Sequence, residues 1–206
     1  MGLDKYRISN PNETETLKFY NENNQSLGTV NREEGIKKGL LLEAVQLWVI
    51  NPNTNQVLMQ KRSKNKTNNP GKIDVSVSGH VKPDETPTQA MLREAREEIG
   101  LKDSEGLYRI MNKIAEDKIN LADFGGQGRY IIHFYMAFLT DSLESYTKQD
   151  SEVDELFFMD YDELKRRVRD GDKDILIPNS RKAETIFSLL DKKIQERKLD
   201  KHIKEK

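Results

Sequence analysis

Cysteine is absent from the sequence. That removes disulfides, thiolate metal ligands and a cysteine nucleophile together. Histidine is scarce, with His80, His133 and His202 the whole supply. A histidine-rich metal centre is therefore not expected, and any metal must be held mainly by oxygen, which favours magnesium, manganese or calcium. No apolar run approaches the roughly 18 residues that span a bilayer. Residues 1–6 carry no apolar stretch of the signal-peptide kind. The expectation is a cytoplasmic protein without a membrane partner. Neither sign of charge dominates, with 34 basic against 35 acidic residues, so no nucleic-acid footprint is implied. What is present is 35% hydrophobic and 33% charged. That balance predicts a soluble, ordered chain with a modest core, read as one domain over 1–206.

The pattern along the chain predicts strands interleaved with helices. Residues 14–31 read as a hairpin, two short strands around the turn-rich 21–25, within an N-terminal extension over 1–35. Residues 40–50 form a long apolar strand, 51–55 a turn, and 56–62 a strand pairing back, so this pair reads as the centre of a sheet. Residues 63–71 are a polar loop, and 73–79 a short strand ending at Gly79. A helix follows over about 87–99, with Thr86 as N-cap, Pro87 at the first position and Gly100 as the stop. Strands at 130–139 and 155–159 come next. Asp160 caps a helix from Tyr161 to about Arg169, and 180–206 forms a C-terminal helix. The alternation implies a mixed α/β sheet covered on both faces.

The helix at 87–99 carries the chemistry. At about 100° per residue, Glu94, Glu97 and Glu98 share one face, while Met91, Leu92, Ala95 and Ile99 lie roughly opposite. Clustered like charges repel, and such a stripe beside Arg93 invites a divalent cation. An isolated Glu-rich helix is more often a solvated acidic face, so the flanks decide. Gly79 is followed after five residues by Glu85, and after seven more by Arg93-Glu94-Ala95-Arg96-Glu97-Glu98-Ile99-Gly100-Leu101. This resembles the Nudix box, G-x5-E-x7-R-E-U-x-E-E-x-G-U, where U is aliphatic; Ala95 is its weakest match.

The resemblance implies an α/β/α sandwich and a magnesium-dependent hydrolase, manganese being an alternative ion, that cleaves a diphosphate linkage in a small metabolite. Carried over residue by residue, Glu94, Glu97 and Glu98 match the metal-binding carboxylates. Arg93 matches the arginine that orients them, and Glu85 the glutamate that supports that pairing. The backbone carbonyl of Ser78 is implied as a further metal ligand.

A second resemblance reaches residues about 20–165. The stretches 23–34, 59–63 and 70–74 are similar to the isopentenyl-diphosphate isomerase branch of the same superfamily. That branch uses a cysteine in a Ser-Val-Cys-Gly-His context, and this chain reads Ser76-Val77-Ser78-Gly79-His80. A serine hydroxyl is far less acidic than a thiol. The strand over 130–139 also holds no glutamate to serve as the second isomerase acid. Hydrolysis is therefore favoured over isomerisation, and over a ligand-sensing module, for which a degenerate box is expected. Lys61, Arg62, Lys66 and His80 are candidate phosphate contacts, and Glu152 a further candidate base. Trp48 and Phe134 read as core. The C-terminal helix could mediate a homodimer.

Overall fold

The computed structural model describes residues 15–204 apart from 67 and 125. The first fourteen residues of the expected N-terminal extension and the last two of the C-terminal helix lie outside them. The elements run β1 (Thr16–Tyr20), β2 (Ser26–Asn31), α1 (Arg32–Lys37), β3 (Leu41–Asn51), β4 (Gln56–Arg62), β5 (Ile73–Asp74), β6 (Val77–His80) and α2 (Pro87–Ile99). Then follow α3 (Ser104–Ile110), β7 (Asn112–Asn120), β8 (Arg129–Phe138), β9 (Val153–Asp160), α4 (Tyr161–Arg169) and α5 (Arg181–Lys204). The result is the expected α/β/α sandwich with a mixed sheet and an N-terminal hairpin.

β3 is the spine. It pairs in parallel with β8 from Leu41↔Arg129 to Ile50↔Phe138. A strand buried on both faces has no reason to alternate polar and apolar residues, which explains its near-continuous apolar run. Successive side chains of a strand point to opposite faces, and parity sorts the core. Val45, Leu47 and Val49 face α2 with Leu58 and Tyr135. Leu42, Trp48 and Ile50 face α4 and α5 with Met59 and Phe134. Met91, Ala95 and Ile99 of α2 are fully buried, and burying the Met91 and Ile99 side chains contributes about 1.5–3 kcal/mol each. Trp48 and Phe134 are core residues, as expected.

The expected central hairpin is corrected in detail. β3 and β4 pair at Ile50↔Val57 and Asn51↔Gln56, then diverge. β6 takes up the β3 edge, from Ala44↔His80 to Leu47↔Val77, and β5 the β4 edge at Gln60↔Asp74 and Lys61↔Ile73, while β9 runs along the other edge of β4. The strand expected over 73–79 is accordingly split, with β5 on β4 and β6 on β3. Ser76 lies in the gap: its hydroxyl donates to Leu58 O (2.5 Å) and accepts from Val49 N (2.9 Å). This hydroxyl satisfies two backbone groups that the divergence takes out of the ladder. α1, α3 and β7 had no sequence counterpart. β7 reads NKIAEDKIN and is half exposed, so its apolar content is too low to mark a strand.

Ser76→Ala leaves both groups buried without a partner. We expect it to cost about 1–3 kcal/mol, read as a lowered urea midpoint with an unchanged slope.

Candidate active site

α2 is fixed at both ends. Thr86 and Gln89 form a reciprocal capping box, and Gly100 closes the helix in the left-handed region at φ 71°. A side chain at Gly100 would also collide with the Thr147 backbone. With its apolar face against β3, the helix presents residues 93, 94 and 98 to the strand and loop that precede it.

Arg93 is the hub of that junction. Its Nε and Nη2 donate to the two oxygens of Glu85 (2.7 and 2.9 Å), a bidentate fork. Nη2 also donates to His80 O (2.9 Å), and Nη1 to Glu94 Oε1 (2.6 Å) and Glu97 Oε2 (3.1 Å). Burial works against the charge, but the carboxylates of Glu85 and Glu94 outweigh it and hold the guanidinium protonated. One side chain thereby ties the 80–85 loop to the first acidic turn of the helix.

Glu98 is 6% exposed. Its Oε2 accepts from Gln60 Nε2 (3.0 Å) and from Ser78 N (3.0 Å). Burial, reinforced by the neighbouring Glu94 charge, pushes its carboxyl up to about 8. Burial also raises Glu94, against the pull of Arg93. Gly79 makes this packing possible. A Cβ there would overlap the carboxyl group of Glu94, so the backbone must be bare for that side chain to cross it.

The expectation that Glu94, Glu97 and Glu98 point together is corrected. Glu94 and Glu98, four residues apart, turn inward. The Glu97 side chain is 46% exposed and turned to Arg93. Among the described residues no three acidic or histidine side chains stand in a cluster ready to hold a metal ion. The donor set nevertheless fits a hard cation. Two buried carboxylates repel each other in a low-dielectric setting, their oxygens are the ligands magnesium prefers, and Gly79 leaves them room.

The remaining candidates separate by strand parity. Gln60 and Arg62 of β4 lie on the α2 side. Arg62 donates to Asp74 Oδ2 (3.2 Å) and Asn68 O (3.1 Å). Lys66 pairs with Glu152, close enough to feel Glu98 and Glu94; burial and then the Arg62 charge lower its proton affinity. Lys61 lies on the opposite sheet face, near Glu155, Arg167 and Asp174, which removes it from the phosphate contacts. His80 Nδ1 lies 3.2 Å from Glu15 Oε1. Although burial alone raises Glu15, its hydrogen bond and charge interaction with His80 pull it down to about 2. Sequence reasoning missed Gln60, Glu15 and Asp74. Parity in β4 could have found Gln60, since position 60 shares the face of Leu58.

The chain belongs to the Nudix family: the NUDIX domain model matches residues 41–178. An uncharacterized Nudix hydrolase of Clostridium acetobutylicum is 30% identical over 156 residues, 75% of this chain and 74% of that protein. Isopentenyl-diphosphate Delta-isomerase 1 of Photorhabdus laumondii is 25% identical over 163 residues, 77% of this chain and 87% of its own. A crystal structure of a Deinococcus radiodurans protein superposes with a TM-score of 0.59, covering 76% of this chain and 90% of that one at 21% identity, a likeness of fold. No helix among the described residues is long and apolar enough to cross a membrane.

Two outcomes follow from the packing. Gly79→Ala forces Glu94 aside and should cost about 1–3 kcal/mol by overpacking, seen in chemical denaturation. Glu98 binds a proton more tightly folded than unfolded, its value rising from 4.5 to about 8. The metal-free protein therefore holds this contribution below pH 4.5 and loses it as pH rises through about 8. Thermal melts in EDTA should fall across that window, and Glu98→Gln should flatten the fall.

Proposed function

We propose that this chain is a metal-dependent hydrolase that cleaves a diphosphate linkage in a nucleoside diphosphate derivative or a similar small metabolite, within a single catalytic domain. The observation that carries this reading is Glu98, a buried carboxylate beside Glu94 whose only close polar partners among the described residues are neutral donors. Such a pair is stabilised by a bound cation far better than by water. Glu94, Glu97, Glu98 and the Ser78 carbonyl would hold Mg2+, with Mn2+ an alternative. Glu97 can join only by leaving Arg93. The bound ion would supply neutralisation of phosphate oxygens and a more acidic water.

The chain's own residues do the rest. Arg93, fixed by the Glu85 fork, positions Glu94 and keeps the 80–85 loop against the helix. Arg62 and Lys66 reach the same mouth and can exchange their present partners, Asp74 and Glu152, for phosphate oxygens. His80, whose ring lies against Tyr130 and whose Nδ1 meets Glu15, would make a further phosphate contact. Either Glu97 or Glu98 would accept the proton of the attacking water. Glu152, bound to Lys66, stands as an auxiliary base.

The isomerase alternative lacks its thiol, because Ser78 stands in that place and its hydroxyl faces Asp74 at 3.4 Å. A screen of diphosphate metabolites with Mg2+ and Mn2+ tests the reading. We expect cleavage products from at least one diphosphate, and Glu98→Gln to lower kcat by at least about 100-fold while the protein stays folded. Isomerised product without cleavage, or full activity in Glu98→Gln, would reject it. Added Mg2+ should also raise the melting temperature more at pH 8.5 than at pH 6, because the ion competes with the Glu98 proton.

A further inference from the structure

The two carboxylate oxygens of Glu98 are held differently. Oε2 accepts twice, from Gln60 Nε2 and from Ser78 N, both at 3.0 Å. Oε1 accepts no hydrogen bond among the described residues, and it is not one of the side-chain atoms sealed from solvent without a partner. It is therefore the open oxygen of the pair. The two donors come from different strands, Gln60 from β4 and Ser78 from β6 on the edge of β3. Gln60 is itself closely packed. It is 1% exposed, on the face of Leu58, with Asp74 and Leu156 as its register partners on either side. The nearby cations of this stretch are occupied elsewhere. Arg62, two residues on and on the same face, is turned to Asp74 and Asn68 O. Lys66 is paired with Glu152.

We propose that Gln60 is a positioning residue for the metal site: its neutral amide, together with the Ser78 N–H, fixes the plane of the Glu98 carboxylate through Oε2 and reserves Oε1 for the ion. The inference rests on the metal-dependent reading above. The terminal torsion of a glutamate is broad, so the plane of its carboxylate must be set from outside. One donor leaves the group free to swing about that hydrogen bond. A second donor, from another strand, stops the swing. Magnesium demands near-ideal ligand placement, and outer partners that orient a ligand are worth about 10–100-fold in metal affinity. The neutrality of the amide matters as much as its reach. Glu94 and Asp74 add negative charge around Glu98. A lysine or arginine at position 60 would cancel part of that charge permanently and repel an incoming ion. An amide orients the carboxylate and leaves its charge for the metal.

Ion binding is measured without substrate, by titrating Mn2+ into the full chain and following the loss of the free-ion signal in electron paramagnetic resonance. Gln60→Met keeps the length of the side chain and removes the donor, and should weaken Mn2+ about tenfold. Gln60→Asn, which withdraws the amide by one methylene, should do the same if the methionine variant melts early. Gln60→Lys keeps a donor but adds a charge, and should weaken Mn2+ more than Gln60→Met does. In a Glu98→Gln background, Gln60→Met should change the affinity by less than about twofold, because residues that act through one another do not add. An unchanged affinity in both Gln60→Met and Gln60→Asn, an equal loss with and without the Glu98 carboxylate, or tighter binding by Gln60→Lys would overturn the proposal. The unaltered chain tells the two possible failures apart. If it binds no Mn2+, the metal-dependent function and the role of Gln60 fall together. If it binds Mn2+ with the expected coupling but cleaves no diphosphate, only the hydrolase reading falls.

Discussion

The grip of Arg93 on the strand-to-helix connection is the constraint on which the site depends. Its guanidinium joins Glu85, the His80 carbonyl, Glu94 and Glu97, so the 80–85 loop cannot move without the helix. The planar fork matters here, because a point charge on a lysine could not serve a bidentate carboxylate and a carbonyl from one position. The clamp neutralises part of the acidic turn and leaves Glu98 outside its reach. That division sets up the chemistry. One acidic group is compensated by a fixed cation, while the other is sealed with neutral donors from Gln60 and Ser78 and stays receptive to a mobile one.

The sequence made the helix and its ends legible because local rules govern them. Thr86, Pro87 and Gly100 act through their own backbone preferences, and the spacing of Met91, Ala95 and Ile99 fixes which face is buried. The orientation of Glu97 was not legible. Helical spacing places residues 94, 97 and 98 within one arc, but it does not say where the arc meets the sheet. The boundary falls between them: Glu94 and Glu98 sit over β6, and Glu97 is left at the solvent edge with Arg93 for company.

A similar boundary separates the basic residues. Lys61 and Arg62 look equivalent in sequence, yet a strand sends neighbours to opposite faces. Arg62 meets Asp74 on the acidic side and Lys61 meets the α4 side. The strand parity was available beforehand; the identity of each face was not, because it depends on which helix packs where. β7 was missed for a different reason. Strands at a sheet edge need one apolar face at most, and its charged residues satisfy water while its backbone pairs with β8. The divergence of β3 from β4 was equally hidden, since β6 takes the edge of β3 and β5 the edge of β4 that the two strands leave free where they part.

That divergence is what lets the 73–80 segment reach the acidic helix. Had β3 and β4 stayed paired along their length, no segment could enter between them. Because they part, the 73–80 chain threads the gap, held by the Ser76 hydroxyl at its middle. Its backbone then serves both faces of the sheet. Gly79 lies under Glu94, and the Ser78 N–H holds Glu98, while the Ser78 side chain shares a face with Gln46. The bare backbone at Gly79 is therefore a requirement of the crossing itself: a side chain there would displace the Glu94 carboxylate.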